Sequence, residues 1–263
     1  MNPLIMPLAC CYKKPTRMIV CLVIIASCHG ADDCFAKVHK YTTSPDTDLS
    51  STVVYYWSSS AQEIHVLMGG PEALLNDIQF VNGLTNSIIP ITIGEDTSAE
   101  TLSKLCKQLQ CKRLSVKAES ITAGNVKSLS HVKQLSKLII SASKIEQSAL
   151  SELHSFPNLK ELYVSSDALD EAVLADIALN KDLESISIGD STLGENTLAV
   201  FKDHQNLNSL FLADVLFSAE EHTGLQELQN LKELRLISVS AADLRRLLND
   251  MVAGVKVTRL KVH

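Results

Sequence analysis

Leu159-Lys-Glu-Leu162-Tyr-Val164 and its echo Leu183-Glu-Ser-Ile186-Ser-Ile188 decide the fold of this chain. Apolar residues hold the first, fourth and sixth places, and the two starts are 24 residues apart. The same step leads back to Leu135-Ser-Lys-Leu138-Ile-Ile140 and Cys111-Lys-Arg-Leu114-Ser-Val116. It leads forward to Leu207-Asn-Ser-Leu210-Phe-Leu212 and Leu231-Lys-Glu-Leu234-Arg-Leu236. A fixed period of this length marks an array of stacked units rather than a conventional globular core.

The rest of each unit repeats as well. Ile121, Ile145, Leu169, Leu193 and Phe217 each stand ten residues after a start. The pairs Val126/Leu129, Leu150/Leu153, Leu174/Ile177 and Leu198/Phe201 have the i, i+3 spacing of one apolar helical face. Each unit therefore reads as strand, loop, helix. Asn158, Asp182, Asn206 and Asn230 immediately precede the next start, a turn position where polar side chains bond to backbone.

On these residues the chain resembles leucine-rich repeat proteins, specifically the 24-residue helical kind of the ribonuclease-inhibitor-like and GALA-like classes. The resemblance covers residues 111–248. It implies an α/β fold: a right-handed solenoid with a parallel β-sheet on its concave face, helices on its convex face, and about eight or nine repeats. Further copies are expected at Ala61-Gln-Glu-Ile64-His-Val66, at Ile88-Ile-Pro-Ile91-Thr-Ile93 with its helix-like Ser98–Leu105, and at Val257-Thr-Arg-Leu260-Lys-Val262, 26 residues after Leu231. The asparagine ladder of the family is missing, since Glu119, Ser143, Asp167, Ser191, Val215 and Val239 occupy its places. One repeat cannot bury both its strand and its helix, so neighbours share a continuous core and residues 51–263 form one domain. Within it, Val53-Val-Tyr-Tyr-Trp57 is expected to cap the first turn.

Residues 1–27 read as an address. Lys13, Lys14 and Arg17 precede the uncharged run Met18–Ala26, a basic region followed by an apolar stretch far shorter than the roughly 20 residues of a membrane-spanning helix. Ile25-Ala-Ser-Cys28 resembles the lipobox of bacterial lipoproteins, which implies cleavage before Cys28 and lipid attached to it. An ordinary cleaved signal and a short uncleaved anchor are the alternatives. Residues 28–50 are polar and rich in turn formers, as a tether would be. Loss of those three cations turns the formal charge of −6 into −9. The expected localisation is the cell envelope, anchored on the non-cytoplasmic side of a membrane.

The chain is acidic and has no basic tract, so nucleic acid is not expected as a partner. No Gly-x-Ser-x-Gly elbow, His-Glu-x-x-His helix, glycine-rich phosphate loop or Cys-x-x-Cys pair occurs, and no catalysis, cofactor, metal or small-molecule substrate is expected. His131, His154, His204 and His222 fall in or beside helical halves, where histidine is ordinary. Asp190 and Asp214 follow consecutive strands, but two carboxylates are too few for a calcium site. Beyond the signal, Cys34, Cys106 and Cys111 form no disulfide framework; they read as a loop thiol and two core residues, with a disulfide among them left open.

Strand alternation turns the third and fifth places of each unit outward. The fifth places hold Ser115, Ile139, Tyr163, Ser187, Phe211 and Arg235, and the third hold Arg113, Lys137, Glu161, Ser185, Ser209 and Glu233. Ile139, Tyr163 and Phe211 put apolar surface on a polar face, and Glu161, Glu233 and Arg235 flank them. These six residues are the expected docking site for a protein or peptide partner, with membrane contact through the N-terminal lipid. The expected function is that of a non-catalytic, exported, lipid-anchored scaffold. The alternatives are a self-associating structural envelope protein and, without export, an intracellular adaptor.

Overall fold

A computed structural model of the chain describes residues 22–28, 34–40, 54–58, 63–84, 87–146, 148–167, 169–194, 197–217, 224–249 and 254–261. It opens with four antiparallel strands, β1 (Leu22–Cys28), β2 (Cys34–Lys40), β3 (Val54–Ser58) and β4 (Glu63–Met68), paired in chain order. Two short helices follow, α1 (Pro71–Asn76) and α2 (Ile78–Gly83). The body then alternates β5 (Ile89–Ile93), α3 (Ala99–Gln108), β6 (Arg113–Ile121), α4 (Ala123–Leu129) and β7 (Lys137–Ile145). After a 3-10 turn at Ala149–Ser155 come β8 (Glu161–Ser165), α5 (Glu171–Ile177), β9 (Ser185–Gly189) and the two-residue β10 (Thr192–Leu193). The chain continues with a 3-10 turn (Thr197–Phe201), β11 (Ser209–Ala213), β12 (Leu216–Phe217) and another 3-10 turn (Leu225–Glu227). It ends with β13 (Glu233–Ile237), α6 (Ala241–Asn249) and β14 (Lys256–Lys261).

Eight strands, β5 to β9, β11, β13 and β14, form one parallel sheet in sequence order. Leu114, Leu138, Leu162, Ile186, Leu210 and Leu234 pair successively across it, each 24 residues from the last. All six are fully or almost fully buried. Entry into each strand is tied to the previous unit by the same step: Ser136 N–H donates to the Lys112 carbonyl at 2.8 Å, Glu184 to Lys160 at 2.8 Å and Lys232 to Asn208 at 2.8 Å. The helical halves stack into a second layer, and their apolar faces close the core against the inner side of the sheet. Leu129, Leu153, Ile177 and Phe201 contribute one buried side chain per repeat.

The turn asparagines work between repeats. Asn158 donates its side-chain amide to the Lys133 carbonyl at 2.8 Å, Asn206 to Lys181 at 3.1 Å and Asn230 to His204 at 3.5 Å. A ladder thus exists, placed before the strands rather than after them. It satisfies loop carbonyls that stacking would otherwise leave unpaired.

Three expectations change. Ala61–Val66 is not a repeat strand: β4 runs antiparallel to β3, with Tyr55 opposite Val66 and Trp57 opposite Ile64. The β-branched and aromatic residues of Val54–Trp57 favour a strand, and the short connection between the two allows an antiparallel partner and no parallel one. The repeats therefore start at β5, which Gly69 joins by accepting from Thr92 N–H at 3.0 Å. The closing strand is shifted. Val257 rather than Leu260 faces Leu234, and Thr258 rather than Lys261 faces Arg235, with a register shift at Leu236/Ile237 absorbing the irregular spacing. Finally, the helical halves at Ala149–Ser155, Thr197–Phe201 and Leu225–Glu227 are 3-10 turns rather than α-helices, a form common in short helical pieces and connectors.

Candidate functional site

The fifth-place residues Ile139, Tyr163, Ser187, Phe211 and Arg235 are direct neighbours across β7, β8, β9, β11 and β13. Beneath them run Lys137, Glu161, Ser185, Ser209 and Glu233. A depression of about 310 Å³ opens between the rows, lined by Lys137, Ile139, Glu161, Leu162, Tyr163, Ser185, Ser187, Phe211 and Arg235. Five of the six residues singled out in the sequence line it. The sixth, Glu233, stands outside and holds Arg235 at 3.4 Å.

The shape follows from side-chain size. β9 contributes only Ser185, Ser187 and Gly189 to this face, while Tyr163 and Phe211 rise on the strands to either side. Tyr163 leans over β9: a Cβ built on Gly189 would fall 2.6 Å from its hydroxyl oxygen and 3.2 Å from Cζ. Its hydroxyl bonds to Ser165, whose own hydroxyl donates to Asp190 Oδ2 at 2.6 Å. Burial raises the Tyr163 phenol above its usual range, and the carboxylates of Asp190 and Asp214 raise it further. The ring is a fixed, neutral wall.

Charges sit around the rim. Lys137 Nζ donates to Glu161 Oε2 at 2.8 Å, and both side chains are partly exposed, so the pair adds little stability. Asp190, Asp214 and Ser238, one repeat apart, all adopt the left-handed conformation, with φ of 51°, 52° and 53°. This turn lifts the Asp190 and Asp214 N–H groups onto the Ala213 and Ile237 carbonyls at 3.0 Å each. Ser209, in the lower row, is 7% exposed and its hydroxyl has no hydrogen-bond partner.

Every outward residue of this surface recurs at a 24-residue step on a parallel strand, over a core of leucines with the same step. The chain is a leucine-rich repeat solenoid. No protein-family model matches its sequence, and no curated protein matches it. Its backbone is similar to an internalin from Listeria monocytogenes, with TM-score 0.39 and 16% identity over 71% of this chain and 59% of that one. Internalin C2 of the same species gives TM-score 0.35 and 16% identity over 59% and 64%. TLR13 in complex with ssRNA13 gives 0.44 and 12% over 74% and 32%. The solenoid thus spans less than two thirds of the length of each.

The remaining sequence candidates lie elsewhere. Cys28 ends β1, with Cys34 as its cross-strand partner. Cys106 and Cys111 are free and buried, and desolvation pushes both thiols up to about 12, far from a reactive thiolate. His204 is buried at 2% exposure, whereas His222 lies outside the described residues. Among the described residues no three His, Cys, Asp or Glu side chains are grouped to hold a metal, and no helix is long and apolar enough to cross a membrane. Sequence reasoning missed Gly189 and the serine floor. Their signal was a run of small outward residues on a single strand between two aromatic ones.

Proposed function

We propose that the solenoid is a non-catalytic scaffold that binds a protein or peptide partner in the depression on its sheet face, and that it is exported and held at a membrane by lipid on Cys28. The observation that carries the binding reading is the cavity of about 310 Å³ with Tyr163 and Phe211 as walls. It is at the small end of ligand pockets, roughly 300–1,000 Å³, and suits one or two anchoring side chains of a larger partner. Aromatic residues and arginine dominate binding energy where they are grouped centrally, and Tyr163, Phe211 and Arg235 are grouped in that way. Preorganisation supports it too, because a ring already pinned through Ser165 loses little entropy on binding.

Export rests on the lipobox-like Ile25–Cys28 stretch. Cleavage before Cys28 removes all of β1 except its last residue, while the β2–β3 and β3–β4 pairings do not involve β1. Two or more acyl chains on one cysteine anchor stably where one does not. Expression of the full chain in a bacterial host, beside Cys28→Ala, tests this part by intact mass and membrane partition. A product beginning at acylated Cys28, with the variant lost from the membrane, is expected; an uncleaved soluble chain overturns it. Partner binding unchanged in Tyr163→Ala/Phe211→Ala overturns the docking site.

A further inference from the structure

We propose that the slot between Tyr163 and Phe211 takes an arginine side chain of the partner polypeptide, with its guanidinium plane between the two rings and its charge met by Asp190 and Asp214 on the Tyr163 side. The inference rests on the docking reading above and specifies its chemistry.

Width comes first. Tyr163 and Phe211 are in register on β8 and β11, with β9 between them. Two strand spacings set their backbones about 9.5 Å apart, and Tyr163 leans inward over Gly189. A flat group in contact with both rings needs about 7 to 8 Å between them. The slot is thus shaped for something thin, and its floor of Ser185 and Ser187 offers hydroxyl oxygens that accept hydrogen bonds.

Charge decides which flat group. Lys137, Glu161 and Arg235 line the depression, Glu233 stands just outside it beside Arg235, and Asp190 and Asp214 follow β9 and β11 and act on Tyr163. Lys137 is taken up by Glu161 at 2.8 Å and Arg235 by Glu233 at 3.4 Å. Asp190 and Asp214 remain as the excess, and both reach Tyr163 electrostatically. The chain as a whole is also acidic, at −6, which steers cationic partners toward it. A cation over an aromatic face is attracted by the ring quadrupole. Guanidinium is the cation that is also planar, weakly hydrated and rich in donors, so arginine fits where lysine does not.

The test selects a random heptapeptide display library on the immobilised full chain, with Tyr163→Ala/Phe211→Ala and Ser187→Trp as counter-targets checked by circular dichroism. Ser187→Trp fills the slot without removing either wall, and it decides the matter if the double variant misfolds. The expected result is enrichment of arginine at one position and loss of binding to both variants. Replacing that arginine by citrulline, of the same shape and without charge, should weaken binding at least about tenfold. Asp190→Asn, which keeps the left-handed turn, should weaken it about two- to five-fold. Peptides that lack arginine yet still lose binding to the variants overturn the arginine assignment and leave the docking site standing. Peptides that bind the variants equally well, or no enrichment at all, overturn both.

Discussion

The hydroxyl of Tyr163 occupies the space that a side chain on Gly189 would need, 2.6 Å from the position of its Cβ. Neither residue explains the other in sequence, since they lie on different strands, but together they set one wall of the depression. Gly189 has no positive φ, so its smallness serves the neighbouring ring and not its own backbone.

Gly189→Ala should therefore displace the ring rather than unfold the protein. Alanine is favoured over glycine in a strand by roughly 0.5–1 kcal/mol, which offsets part of the crowding. Thermal stability should change little. The phenol, once freed from burial and from the field of Asp190, should titrate closer to its usual range near 10. Ultraviolet titration of Gly189→Ala, with Tyr163→Phe subtracted to isolate this tyrosine, measures it; an unmoved titration would show that the ring never filled the space.

Core and surface on one strand should separate cleanly. Leu138 is fully buried in β7, while Ile139 beside it faces outward. Leu138→Ala should cost about 2–5 kcal/mol, whereas Ile139→Ala should cost less than about 1 kcal/mol. Urea unfolding reads both. Equal losses would mean that the outward row is part of the fold and not a free surface.

Much of this was legible because the hydrophobic code repeats. Leu162, Ile186 and Leu210 could be placed in one core row from spacing alone, and the outward places of Tyr163, Phe211 and Arg235 followed from alternation. The meeting of Tyr163 with Gly189 was not legible, since periodicity assigns faces but not the lean of a side chain. Nor was the end of the array. Ala61–Val66 matches the apolar spacing, and only the short connection to Val54–Trp57 turns it into an antiparallel partner. At the other end Leu260 matches the repeat better than Val257 does, but the chain after α6 is set by where Lys256 bonds Lys232.

Gly224 is a position where stacking itself demands glycine. Its φ is +84°, and a Cβ there would meet the Ala199 backbone nitrogen of the preceding repeat at 2.5 Å. Gly224→Ala incurs both the left-handed penalty of about 1–2 kcal/mol and a collision with main chain that no rotamer relieves. A loss above about 2 kcal/mol in urea unfolding is expected; a loss under 1 kcal/mol would show that adjacent repeats part without cost.

His204 should make the solenoid acid-sensitive. It occupies the place that Phe156, Asn180 and Leu228 hold in other repeats, and all four are buried. Its Nε2–H donates to the Ala178 carbonyl at 2.8 Å, its ring meets Phe201 edge to face at 5.5 Å, and Nδ1 is buried without a partner. Burial lowers its pKa below 6.5, with Lys181 adding to that, while the Ala178 bond and Asp203 act in the opposite sense. The unfolded chain thus binds the proton first on acidification. Stability from the neutral ring is fully present above about pH 6.5 and is lost as pH falls through the folded value. Asn180 shows the neutral alternative, since its amide reaches the Leu153 carbonyl at 2.9 Å from the same place in its own repeat. In His204→Asn the amide should reach the carbonyl equivalent to that of Leu153, which is Ile177, so a hydrogen bond is kept without a titrating group. The drop in urea midpoint between pH 7.5 and 5.5 should accordingly be smaller than in the wild type, the other histidines being common to both. Equal drops would place the acid sensitivity on residues other than His204.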